Sequence, residues 1–200
     1  MGHCSWADTD EITKRYHDRE WGIPAHDDRR MFEYLTLECL QCGLSFGLML
    51  RKREIFRSCF DGFDYSRIAQ YGEADIERIL STEGMLKSRR KVEAIINNAK
   101  RYLEVRAEFG SFCKYLWAYT EGKTVIYEGH AQGAVPASNG LSARIAKDLK
   151  RRGFTFVGSV TIYSHLQASG LINDHADDCP CFKAINQEYP TVYLEPDSEE

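Results

Sequence analysis

The chain has 200 residues, of which 43% are apolar, 12% aromatic and 28% charged. That is the composition of a folded globular protein and excludes disordered, collagen-like and coiled-coil chains. The formal charge is −4, but Glu188, Glu195, Asp197, Glu199 and Glu200 lie in the last thirteen residues with no base among them. Without those five, 25 acids face 26 bases, so residues 1–187 carry +1 and a nucleic-acid partner is not excluded.

In chain order, apolar residues recur at helical spacing over Asp10–Glu20, over Asp27–Cys42 with Asp27 and Asp28 opening the segment, and over Ser45–Phe60 with Ser45 as N-cap. Shorter helices are predicted at Asp64–Tyr71 and Glu73–Ser81. Longer ones follow at Ser88–Glu108, Ser111–Thr120, Ser142–Arg152 and Val157–Ser169. Glu121–Gly140, with four glycines and Pro136, reads as the one extended loop, holding a short strand at Thr124–Tyr127. The expected fold is all-α. Residues 1–187 form one domain, and residues 188–200 an acidic, flexible tail, with disorder beginning after Cys181. The apolar run Tyr34–Leu50 is interrupted by Glu38, Gln41, Gly43 and Gly47 and is short of the roughly 20 residues a bilayer demands. No membrane span is expected. Three acids among the first eleven residues argue against a cleaved secretory signal. A cytoplasmic location follows, in which the seven cysteines are core fillers, metal ligands or nucleophiles.

Three features carry chemistry. Glu38 is the only charged residue between Glu33 and Arg51 and shares a helix face with Met31, Leu35 and Cys42. It is either a structural carboxylate that caps a helix or pairs with an arginine, or the acid beneath a pocket. Cys4 and His17 near one end, with the H-x3-C pair His175 and Cys179 near the other, could complete a structural tetrahedral zinc site. They could equally be two core cysteines and two surface histidines, while Cys39 and Cys42 read as core. Finally, Lys87, Arg89, Arg90 and Lys91 follow Gly84 at the start of a helix. Backbone N–H groups and bases can receive a phosphate there, although such a run can also be a solvated face.

Taken together, the N-terminal C-x-W, YHDREWG, the LSF of LECLQCGLSF, GMLKSRRKVEAIINNA, LKRRGFTFVG and NDHADDC closely resemble the 3-methyladenine DNA glycosylase I family, from Cys4 to about Cys181. The resemblance implies an all-helical fold of the helix-hairpin-helix glycosylase superfamily, with two lobes around a base pocket and a zinc-binding substructure joining the chain ends. It also implies one structural Zn2+ held by Cys4, His17, His175 and Cys179, and Glu38 as the carboxylate that binds an extruded methylated adenine. Trp6, Tyr16 and Trp21 would line the pocket, and Gln41, Gly43 and Leu44 would fill the gap left in the duplex. The hairpin with Lys87, Arg89, Arg90 and Lys91 would bind phosphate. The implied activity is that of a monomeric, monofunctional base-excision enzyme that acts on duplex DNA containing alkylated adenine and leaves an abasic site. One departure stands out: Phe46 occupies the base-stacking position where the family has tryptophan. This leaves open a glycosylase for a different alkylated base, or a zinc-containing helical DNA-binding protein without catalysis.

Overall fold

The computed structural model describes residues 4–133 and 135–196, so Asp197, Glu199 and Glu200 of the expected tail lie outside the described residues. The fold is mostly helical, as expected. A 3-10 turn at Ser5–Thr9 leads into α1 (Glu11–Arg19), α2 (Asp28–Gln41), α3 (Phe46–Cys59), α4 (Tyr65–Ile68), α5 (Glu73–Ser81) and α6 (Arg89–Phe109). These are followed by α7 (Phe112–Trp117), β1 (Thr124–Tyr127), α8 (Gly140–Arg151), α9 (Ser159–Ala168), α10 (Pro180–Glu188) and β2 (Thr191–Leu194). No helix among the described residues is long and apolar enough to cross a membrane.

The centre of the fold is α2. Nine of its residues, from Met31 to Leu40, are buried, and it packs on α3, α6, α7 and α9. A helix apolar on nearly every side has to be covered on nearly every side. Its start is fixed by Asp27, whose side chain accepts from the Arg30 N–H at 2.8 Å. The next residue ties it to its neighbours. One Asp28 carboxylate oxygen accepts from the Cys113 N–H (2.9 Å), the other from Arg106 Nε (2.6 Å), and the Asp28 carbonyl accepts from the Tyr102 hydroxyl (2.7 Å).

Two pairs of consecutive helices flank this centre, α5–α6 joined through residues 82–88 and α8–α9 through residues 152–158. Where α9 ends, Gly170 has φ +76°, and a Cβ there would lie 2.5 Å from Pro24 N. Only glycine lets the segment before α2 come this close to the end of α9.

Two expectations are corrected. The helix over Asp64–Tyr71 is a single turn, Tyr65–Ile68, because Asp64 caps the Ser66 and Arg67 N–H groups and the chain turns at Gln70. The region after Cys181, expected to be partly disordered, forms regular structure up to Leu194 in α10 and β2. Pro180 opens α10 at a position where its missing N–H costs nothing. Thr191–Leu194 then pairs in parallel with the expected strand Thr124–Tyr127, Thr124 opposite Thr191. The physical reason is that β1 is buried throughout and its backbone groups require partners. β2 supplies them.

If Asp28 locks α2 to α6 and α7, Asp28→Ala leaves the Cys113 N–H and the Arg106 guanidinium without their acceptor. Chemical denaturation should show a loss of about 2–3 kcal/mol.

Candidate functional site

One cavity of about 310 Å³ collects every residue expected to hold a base: Trp6, Tyr16, Trp21, Glu38 and Phe46, with Gln41 at its edge. They come from four places in the chain. Trp6 sits in the first 3-10 turn, Tyr16 on α1, Trp21 just after α1, and Phe46 at the first position of α3. Glu38 rises from the buried stripe of α2. The rings pack edge-on or tilted: Trp6 and Trp21 have centroids 4.9 Å apart at 75°, Tyr16 and Phe46 5.2 Å apart at 52°. Such arrangements leave ring faces and edges free to take a flat ligand.

Glu38 is 5% exposed, and no hydrogen bond or ion pair to its carboxyl is found among the described residues. This removes the structural alternative of a cap or an arginine pair. Burial alone pushes its carboxyl from the usual 4.5 up to about 8, so at neutral pH it holds its proton. The Tyr16 hydroxyl, fully buried, has no hydrogen-bond partner either, and burial raises it well above its ordinary value. Two polar groups in one apolar cavity with no protein partner are an arrangement that a ligand completes.

Beside this cavity lies the cluster of chain ends. The ligand atoms of Cys4, His17, His175 and Cys179 all lie within 4.8 Å of one another, and all four residues are buried. His175 Nδ1 is 3.1 Å from His17 Nε2, Cys4 Sγ is 3.5 Å from His175 Nδ1, and Cys179 Sγ is 3.7 Å from both imidazole nitrogens. Tetrahedral zinc with ordinary bond lengths would set these edges at about 3.3 Å for N–N and about 3.5 Å for S–N. The protonation pattern agrees. His17 Nδ1 faces an Asp18 carboxylate oxygen at 2.8 Å and His175 Nε2 faces the Trp21 carbonyl at 3.0 Å. Those acceptors hold the ring protons on the outer nitrogens, leaving two lone pairs turned toward each other beside two sulfurs, which a cation reconciles. Gly22 makes room, because a Cβ there would lie 2.9 Å from His175 Nε2. The cluster could hold a metal ion and, with four protein ligands, would leave no open position.

The expected DNA contacts fall into two groups. Gln41 ends α2, and Gly43 and Leu44 form the exposed turn after it, lining a second cleft of about 300 Å³ that shares Glu38, Gln41 and Ser164 with the first. The bases of the α5–α6 hairpin are more committed to the fold than the sequence suggested. Lys87 donates to the Leu80 and Thr82 carbonyls, Arg89 pairs with Glu73, Glu77 and Glu93, and Lys91 donates to the Leu40 and Cys42 carbonyls at 2.6 and 2.7 Å. Arg90 is exposed and lies over the Phe156 ring.

Sequence reasoning missed Ser164, Gln167 and Asp174 on the cavity wall. The signal was present. Thr161, Ser164 and Gln167 form a polar stripe at i, i+3 spacing on α9, beside a face that buries Ile162, Tyr163 and Leu166.

These features define a helical protein built around a pocket for a flat aromatic ligand. A family model, methyladenine glycosylase, matches residues 6–183. The DNA-3-methyladenine glycosylase 1 of Escherichia coli (strain K12) is 38% identical over 182 residues, 91% of this chain and 97% of that one. A crystal structure of a 3-methyladenine DNA glycosylase I superposes with TM-score 0.85 at 42% identity, covering 90% of this chain and 99% of that chain. The Staphylococcus aureus 3-methyladenine DNA glycosylase I, in a structure addressing 3-methyladenine recognition, superposes with TM-score 0.84 at 36% identity over 90% of this chain and 96% of that one. The chain belongs to the methyladenine glycosylase family.

The Glu38 shift makes a testable statement about stability. A group whose folded pKa is raised contributes stability that is present below the unfolded value, 4.5, and is lost as pH rises through about 8. Glu38→Gln, which has no proton to lose, should therefore melt higher than the natural protein by a few degrees at pH 8.5, with the gap closing toward pH 5. Thermal melts of both proteins across that range check it.

Proposed function

We propose that this protein is a monofunctional DNA glycosylase that hydrolyses the N-glycosidic bond of 3-methyladenine in alkylated duplex DNA. The observation that carries this reading is the buried, partnerless Glu38 carboxyl in an aromatic cavity, in a chain that belongs to the methyladenine glycosylase family.

The chemistry needs little from the protein. A purine methylated at N3 carries positive charge, so its bond to the sugar is already weak. The C1′–N9 bond breaks, its electron pair stays on the base and neutralises the ring, a water oxygen bonds to C1′, and the water's proton passes to solvent. The products are an abasic site and free 3-methyladenine. What the enzyme supplies is extrusion of the base, which costs a few kcal/mol and least for a damaged pair, and a pocket that prefers the cation. Trp6, Tyr16, Trp21 and Phe46 offer ring surface to that charge. As the cation enters, it favours the ionised form of Glu38 and draws off the proton that burial had kept there. The carboxylate then accepts from the exocyclic amine. An uncharged, stably bonded base gains nothing from this exchange. No lysine lines the cavity among the described residues, which fits simple hydrolysis without a Schiff base. The turn of Gln41, Gly43 and Leu44, at the rim, would occupy the gap in the duplex, and the α5–α6 hairpin would meet the backbone.

The cluster of Cys4, His17, His175 and Cys179 would hold one Zn2+ as a structural ion, joining the chain ends. The edge lengths and the outward ring protons support this.

Release of 3-methyladenine from methylated duplex should be catalysed by the purified protein. Glu38→Gln replaces an acceptor that can become charged by an amide that cannot, an interaction worth roughly 1.5–3 kcal/mol. Its kcat/KM should drop by one to two orders of magnitude. The natural protein's kcat/KM should rise with pH toward about 8, where Glu38 ionises in the free enzyme, and the variant's should be flat. An active natural protein indifferent to Glu38→Gln would contradict the pocket assignment.

For the metal, Cys4→Ser should lower zinc content, measured by elemental analysis, together with melting temperature, because binding energy at such a site is folding energy. Protein prepared without chelator and found free of zinc would remove the assignment.

A further inference from the structure

The cavity wall supplied by α9 contains an amide whose orientation is fixed. Gln167 Nε2 donates to one carboxylate oxygen of Asp174 at 2.7 Å. The Tyr163 hydroxyl donates to the same oxygen at 2.6 Å, and His130 Nδ1 lies 2.8 Å from the other. The Asp174 side chain has no exposed surface, so the residue's 7% exposure belongs to its main chain and the carboxylate does not reach a ligand. Gln167 is half-buried and lines the cavity.

A carboxylate accepts and does not donate, so the Gln167 amide must turn its NH2 toward Asp174. Its Oε1 is then left on the other side, is not sealed from solvent, and has no partner among the described residues. Without Asp174 the two ends of the amide would be interchangeable. With it, the wall shows an acceptor.

We propose that Gln167 Oε1 selects adenine over guanine in this pocket, with Asp174, braced by Tyr163 and His130, as the residue that positions it. The inference rests on the glycosylase reading for the nature of the ligand and deepens it. Adenine and guanine differ at C6, one carrying an amino group that donates, the other a carbonyl oxygen that accepts. The amine has two N–H groups, and the one not given to Glu38 bonds to Gln167 Oε1. The guanine oxygen meets a second oxygen, leaving two desolvated acceptors without a proton between them. Sites built to satisfy one polar group reject an analogue that lacks it far more strongly than apolar walls do. Methylation supplies the charge that Glu38 senses, and Gln167 reads which purine carries it.

The test separates binding from hydrolysis. Free 3-methyladenine and free 3-methylguanine are titrated against the protein, with quenching of the Trp6 and Trp21 fluorescence as the signal. Release of 3-methyladenine from methylated duplex is measured in parallel. The natural protein should bind 3-methyladenine at least about tenfold more tightly. Gln167→Met, close in length but with no acceptor, should cut that ratio by about tenfold, mainly through weaker adenine binding. Asp174→Asn, which lets the amide turn either way, should lower the ratio in the same direction, and Tyr163→Phe should do so to a smaller extent. An unchanged ratio in Gln167→Met overturns the inference, whether or not the protein releases base. If neither base binds, the inference falls with the pocket. Selective binding that depends on Gln167, in a protein that releases no 3-methyladenine, leaves the inference standing and removes the glycosylase reading.

Discussion

The pocket depends on one convergence, that of Cys4 and His17 with His175 and Cys179. The side chains that meet there come from opposite ends of the sequence, and two of them carry the pocket's indoles. The His17 ring lies 5.3 Å from Trp6 at 72°, and the His175 ring lies 4.5 Å from Trp21 at 76°. Trp6 is 37% exposed, and the 3-10 turn that carries it buries only Ala7, so its contacts with His17 and Trp21 are what restrain it. The Trp21 carbonyl is itself the acceptor that sets the His175 proton. The cluster therefore does two things through the same atoms: it ties the first residues to the last, and it holds two aromatic walls in place. A cation among those four ligands would act on the pocket through these contacts, without touching what the pocket binds.

The second constraint is electrostatic and lies on α2. Placing an acid on the buried face of the most buried helix works against stability, since the group is desolvated without compensation. That cost is what makes the site responsive. A Glu38 paired with an arginine would be ionised and already satisfied, and an arriving cation would gain little. Arg53, on the next helix, is engaged elsewhere, with Glu20 and Glu33. The ion pairs of α1, α2 and α3 are thus kept away from the cavity, which leaves Glu38 to its ligand.

Helical periodicity made most of this fold legible, because α2, α3, α6, α8 and α9 each bury a face over several turns. Glu38 was visible as a lone charge in an apolar stretch. Cys4, His17, His175 and Cys179 stood out only as one possible metal set, and the family resemblance singled them out along with Trp6, Tyr16, Trp21 and Phe46, since spacing alone cannot tell that residues some 170 positions apart share a site. What stayed illegible has physical reasons. β2 is four residues long, half-exposed, and ordered by pairing with a strand more than sixty residues away. No local pattern announces such a partner. Gln167 was visible only as part of a polar stripe and Asp174 not at all, because their roles arise from each other, one amide given direction by a carboxylate from a different element.

The basic run at the α5–α6 hairpin shows why counting charges misjudges an interface. Lys91 lies at the start of α6, yet its ammonium sits on the Leu40 and Cys42 carbonyls at the end of α2. A helix C-terminus carries partial negative charge and carbonyls without helical partners, and a lysine answers both. Lys87 does the same for α5. The consequence for the pocket is direct, because the carbonyls that Lys91 holds flank Gln41 and precede Gly43 and Leu44. Gly43, at φ +80°, has no atom within 4 Å of where a Cβ would stand, so its turn has little packing of its own. The rim that would enter the duplex is thus fixed from below by a base whose charge is already used. Of this run, Arg90 is the one side chain with neither an acid nor a carbonyl as partner among the described residues. Its charge is the one still available to a phosphate, while the others give the hairpin and the rim a common frame.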